Sequence, residues 1–160
     1  MKTIRPILAL VLASALAPLS AMADGTHGGG HKMMLGEPGH GQATRTVKVV
    51  MTEDYDAENV YIFDQKELNF SAGETVRLVI VNEGEEVHEF VMDTAEANAE
   101  HKALMEKFPE MEHDDPNAVR LEPGEEAEII WTFGEAGTFE FACLLPGHYE
   151  AGMHGPLTIN

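Results

Sequence analysis

From Thr44 onward, apolar and polar positions alternate in short stretches. Val47, Val49 and Met51 share one parity, with Thr46 and Lys48 on the other. Val60 to Phe63 and Leu68 to Phe70 are brief apolar pieces, and Thr75 to Val81 is a β-branched run closed by Asn82-Glu83-Gly84. Val87 to Met92, Glu128 to Phe133, Thr138 to Cys143 and Leu157 to Ile159 complete a set of seven or eight short strands. Period-two alternation between turn residues is the pattern of half-buried strands. Thr94 to Phe108 differs, being rich in Ala, Glu, Lys, Leu and Met, which favour helix. Asp93 and Glu96 have the spacing of a capping box, and Pro109 marks a stop before the acidic stretch 109–117. One helix among many strands predicts an all-β, Greek-key β-sandwich with an inserted helix; an α/β fold would need helices alternating with strands.

The first 43 residues do not fit this pattern. Lys2 and Arg5 precede an apolar run from Ile7 to Leu19, and Ala21-Met22-Ala23 has the small-x-small form of a cleavage site. Residues 1–23 are expected to be a secretory signal peptide, too short to span a membrane, without a twin arginine or a lipidation Cys. The periplasm is the compartment this implies. Residues 24–43 contain seven Gly, three His and two Met without periodicity, and are expected to be a flexible tail. Residues 44–160 form the single domain.

Charge and cysteine usage narrow the function. The 160 residues carry 10 Lys+Arg and 28 Asp+Glu, a net charge of −18; removing Lys2 and Arg5 would leave −20. Nucleic acid and anionic membrane surfaces are poor partners for such a chain, and a basic protein is a good one. The lone Cys143 has no partner for an internal disulfide. In an oxidising compartment it is either a buried, inert side chain or a thiolate held by a metal.

The neighbours of Cys143 favour the metal. Cys143, His148 and Met153 read C-x4-H-x4-M, with Pro146-Gly147 before the His and Gly152 before the Met. A thiolate, an imidazole and a thioether on one loop suit copper cycling between Cu(I) and Cu(II), and a second imidazole would complete a His2Cys set with a weak axial Met. His88 is the candidate, since Phe90 and Met92 have its parity and Phe139 and Phe141 have that of Cys143. A Cys143–His148 nucleophilic pair is the enzymatic alternative. It fits a chelating loop with a following Met less naturally.

These residues resemble the cupredoxins, small type 1 copper proteins. The ligand loop is similar to that of rusticyanin and azurin. Val87 to Val91, Glu106 to Asn117 and Cys143 to Gly155 look like periplasmic cupredoxins linked to bacterial copper tolerance. The resemblance covers residues 44–160 and implies one copper ion on His88, Cys143, His148 and Met153, with no enzymatic activity. The single Cys, flanked by Ala142 and Leu144, sets the chain apart from binuclear copper-A centres and multicopper oxidases. Glu89 stands where the family often carries Asn or Ser. A carboxylate near copper favours Cu(II) and lowers the potential, but alternation places Glu89 opposite His88, toward solvent.

Two roles follow from the resemblance: a copper-tolerance protein with redox-active copper, or a one-electron carrier between periplasmic redox proteins. In either, a monomer without a membrane anchor would dock on a basic redox or copper-handling protein, and His148, nearest the surface, would be the electron exit. His27, His31, Met33, Met34 and His40 are candidates for a copper-collecting arm. His101 and Met105, one helical turn apart, with Met111 and His113 form a candidate second site. His154 is expected to point away from the centre.

Overall fold

The computed structural model describes residues 34–109 and 115–160. The chain order is β1 (Gly36–Pro38), β2 (Arg45–Glu53), β3 (Tyr61–Phe63), β4 (Leu68–Phe70), β5 (Thr75–Asn82), β6 (His88–Asp93), α1 (Ala95–Met105), β7 (Ala118–Leu121), β8 (Glu126–Phe133), β9 (Gly137–Ala142) and β10 (His154–Ile159). They make two five-stranded sheets, ordered β1-β8-β5-β2-β3 and β4-β10-β9-β6-β7. Neighbours are antiparallel except β2 with β5 and β10 with β4. The chain passes from one sheet to the other at β3–β4, β4–β5, β5–β6, β7–β8 and β8–β9, giving the expected sandwich with its helix inserted after β6. Among the described residues no helix is long and apolar enough to cross a membrane.

The alternating residues meet between the sheets. Val49 and Met51 of β2, Leu78 and Ile80 of β5, and Trp131 and Phe133 of β8 face Phe90, Met92, Phe141 and Leu157 of the other sheet, all buried in one core. Burying one such side chain contributes about 1.5–3 kcal/mol, which is why the parity of each strand is fixed. Phe63 sets its ring edge-on to both Phe90 and Phe141, at 5.9 and 5.1 Å. These rings fill the core beneath the end of the sandwich where β6 begins and β9 finishes.

Four expectations need correction. Residues 24–43 are not a tail throughout: Leu35 is fully buried, and β1 pairs with β8 from Gly36 opposite Phe133 to Pro38 opposite Trp131. Backbone pairing and one anchoring Leu suffice there, so a Gly-rich composition did not reveal the strand. Residues 118–121, to which the sequence assigned no element, form strand β7, which pairs with β6 through backbone bonds. The helix is capped by Thr94, whose Oγ1 accepts from the Ala97 N–H at 3.1 Å, while Asp93 accepts from the Thr94 N–H. It ends at Met105 rather than running to Phe108, and it buries Asn98 and Met105, while Leu104 and Phe108 are exposed. Asn98 donates to the Glu140 carboxylate of β9 at 3.2 Å, which fixes that face of the helix inward.

Candidate metal centre

Strand pairing brings the two halves of the site together. Val91 lies opposite Ala142, so Cys143, one residue past β9, sits beside the first residues of β6. The Glu89 N–H donates to Cys143 Sγ at 3.3 Å. The loop 143–153 is then closed by its own backbone. The Cys143 N–H donates to the Met153 carbonyl at 3.0 Å, and the Met153 N–H to the His148 carbonyl at 3.1 Å. The His148 N–H donates back to the Leu145 carbonyl at 3.0 Å. Pro146 and Gly147 are the central residues of this turn, and Gly147 has φ +88°, as the third position of a type II turn requires. Pro-Gly is thus the local sequence that turns His148 back over Cys143.

Three donor atoms converge. His88 Nδ1 is 3.3 Å from His148 Nδ1, and Cys143 Sγ is 3.4 Å from the same nitrogen. All three ligand atoms lie within 4.8 Å of one another, and all three residues are buried. The outer nitrogen of His88, Nε2, is 2.6 Å from Glu53 Oε1, so the proton on that side leaves Nδ1 as a lone pair facing the cluster. Two ring nitrogens and a sulfur aimed at one point form a soft, chelating donor set. A soft or borderline cation satisfies all of them at once, and the donor set fits copper.

The electrostatics agree. Burial pushes the Cys143 thiol up to about 12, only partly offset by the backbone N–H groups of Glu89 and Leu145. At neutral pH this sulfur keeps its proton unless a cation replaces it, and it is no activated nucleophile. Burial, with His88 adding to it, takes His148 down to about 4, which keeps its imidazole neutral and able to ligate. For Glu53, burial works to raise the carboxyl, but the backbone N–H groups of Glu85 and Glu86 and the His88 ring outweigh it and hold it below the usual range. His148 is 8% exposed, the only one of the three donors with any exposure, and the Tyr61 ring stacks on it at 4.0 Å and 7°. Tyr61 is anchored in turn by its hydroxyl, which donates to Glu86 Oε2 at 3.1 Å.

Glu89 departs from expectation. It does point away from His88, but that face of β6 is covered: Glu89 is 3% exposed, and its Oε2 accepts from the Leu144 N–H at 3.3 Å. A second apolar cluster of Val91, Ala142 and Leu144, with Ala118 and Tyr149 against it, shields this side from water. Burial raises the Glu89 carboxyl to about 7, against smaller opposing effects of the Leu144 N–H and Arg120.

Comparison with known proteins agrees with this geometry. Residues 47–160 match the family of copper binding proteins of the plastocyanin/azurin type. The chain belongs to that family. This cupredoxin is 40% identical to the copper-resistant cuproprotein CopI of Rubrivivax gelatinosus, over 99% of this chain and 98% of that protein. It is 36% identical to the CopI of Pseudomonas aeruginosa, over 94% of this chain and 93% of that one. A solved structure of auracyanin B aligns with a TM-score of 0.62 and 27% identity, covering 78% of this chain and 96% of that one. The chain is a copper-binding protein rather than an enzyme, with a His88/Cys143/His148 metal-coordinating cluster.

Met153 is fully buried at the end of the ligand loop. His154 is exposed and stacks on Tyr149 at 4.2 Å. Met105 belongs to the core, and His101 lies half-buried on the same helix. Met34 and His40 are exposed, while His27, His31, Met33, Met111 and His113, with residues 1–23, lie outside the described residues. Glu53 and Tyr61 were missed by sequence reasoning. Both carried a signal: Glu53 continues the inward parity of Val49 and Met51, and Tyr61 has the parity of buried Phe63.

Proposed function

We propose that this cupredoxin holds one copper ion on His88, Cys143 and His148 with Met153 as a weak axial ligand, and serves periplasmic copper tolerance. The converging donor atoms of the three buried residues carry the reading. Copper so held supplies one-electron redox chemistry. The protein's part is to keep the donors fixed and dry, so that little rearranges on electron transfer. β6 and the closed 143–153 loop fix His88, Cys143 and His148, the Glu89 N–H steadies the sulfur, and Tyr61 covers the outer ring. The axial role of Met153 rests on its place in the loop spacing and its full burial.

Kinship over nearly the whole chain with two copper-resistant cuproproteins supports tolerance over pure electron carriage. The basic-apolar-small pattern of residues 1–23 supports export with cleavage after Ala23, and the His and Met residues of 27–40 support a copper-collecting arm. The net charge of −18 supports docking on a basic partner. The carrier role is the second reading, supported by the likeness to auracyanin B and by His148 at the edge of the site beneath a single aromatic ring. Deleting the gene separates the two. Copper-sensitive growth with intact respiration is the expected result; loss of an electron-transfer pathway with normal copper resistance would reverse the assignment.

A further inference from the structure

We propose that Glu53 is a positioning residue for the metal centre: it fixes which nitrogen of His88 faces the metal and biases the site toward Cu(II) over Cu(I). The inference rests on the copper reading above and adds to it a determinant outside the four-ligand set.

Glu53 is the last residue of β2, on the sheet opposite His88. Its side chain is 3% exposed and that of His88 is 0% exposed, and 2.6 Å separates Oε1 from Nε2. The carboxylate is held from behind. Oε2 accepts from the Glu85 N–H at 2.8 Å, and Oε1 also accepts from the Glu86 N–H at 3.0 Å. The turn that delivers His88 to β6 is shaped around this group. A Cβ on Gly84 would lie 2.4 Å from Glu53 Oε1 and 2.5 Å from Oε2, so a larger residue there would displace the carboxylate. Asn82 closes the same turn, its Oδ1 accepting from the Gly84 N–H and its Nδ2 donating to the Glu86 carbonyl.

Two consequences follow. An acceptor locked against Nε2 makes that nitrogen the protonated one, and Nδ1 is left free toward His148 and Cys143. A negative charge hydrogen-bonded to a ligating imidazole also raises its basicity and favours the more highly charged metal. Because the pair is buried, water screens that charge little.

The test uses the full mature chain and the Glu53→Gln variant, in which an amide oxygen still accepts from His88 but the charge is gone. Cu(II) and Cu(I) dissociation constants are measured by chelator competition. The ratio of Cu(II) to Cu(I) affinity should fall about 10–100-fold in the variant, the range typical of lost outer partners, while the thiolate-to-copper absorption persists. Long-range proton–nitrogen NMR of the copper-free wild type should place the His88 proton on Nε2. Glu53→Ala, which removes the acceptor, should mix the two tautomers. An unchanged affinity ratio in Glu53→Gln, or a copper-free His88 protonated on Nδ1, overturns the proposal. A wild-type protein with no thiolate-to-copper absorption would overturn the copper reading instead, and the tautomer measurement would still judge Glu53.

Discussion

Replacing Glu89 by Gln should make the stability of the copper-free protein rise relative to wild type as pH goes from acid to alkaline. Glu89 is 3% exposed, and burial raises its carboxyl from an ordinary 4.5 to about 7. The unfolded chain gives up this proton near 4.5 and the folded chain keeps it until about 7. Folding is therefore progressively opposed as pH rises through that window, and the deficit is complete above it. The distance from 4.5 to about 7, at about 1.4 kcal/mol per pH unit, amounts to about 3 kcal/mol. Gln preserves an oxygen for the Leu144 N–H, which now reaches Glu89 Oε2. Its buried amide carries a fixed penalty of about 1–3 kcal/mol, but that penalty does not vary with pH. The measurement is denaturant unfolding of both proteins from pH 4 to 8.5, with copper removed because metal binding is itself linked to protons. The stability of the variant relative to wild type should climb by about 3 kcal/mol between the two ends. A difference that stays flat with pH would refute the claim that this carboxylate is buried and strained.

Three further outcomes follow. Met153→Leu should retain copper and raise the reduction potential, and Met153→Gln should lower it, measured by voltammetry, since an axial ligand tunes potential more than affinity. Asn82→Ala should lower unfolding stability by about 2–4 kcal/mol, because the Glu86 and Leu121 carbonyls and the Gly84 N–H all lose their partner. Deleting residues 24–33 should leave the visible spectrum intact and reduce total copper bound per chain; a deletion running to Gln42 should in addition lower the melting temperature, because it removes buried Leu35 and β1.

The sequence was most legible where alternation met a single core. Phe139 and Phe141, separated by Glu140, announced their shared face, and Trp131 and Phe133, separated by Thr132, did the same. The ligand loop was legible because a chelating loop must place its donors at fixed spacing on one short segment. Glu89 was misplaced because alternation assumes that the second face of a strand meets water. Strand β6 lies between β9 and β7, and Leu144 of the ligand loop folds over its outer side. The apolar Val91, sharing the parity of Glu89, was the residue that pointed to this cover. Glu53 shows the converse: an acidic residue on an inward parity reads as a strand end in sequence, and only the approach of His88 from the other sheet gives it a purpose. Thr94 displaced Asp93 as the cap because Asp93 still belongs to β6.

The most direct test of the copper site is a visible titration of the mature protein with Cu(II), run beside Cys143→Ser. The wild type should develop an intense thiolate-to-copper absorption that saturates at one equivalent at the His88/Cys143/His148 cluster, and the Ser variant should show none. The same absorption in Cys143→Ser, or none in the wild type, would contradict the assignment of this cluster as the copper centre.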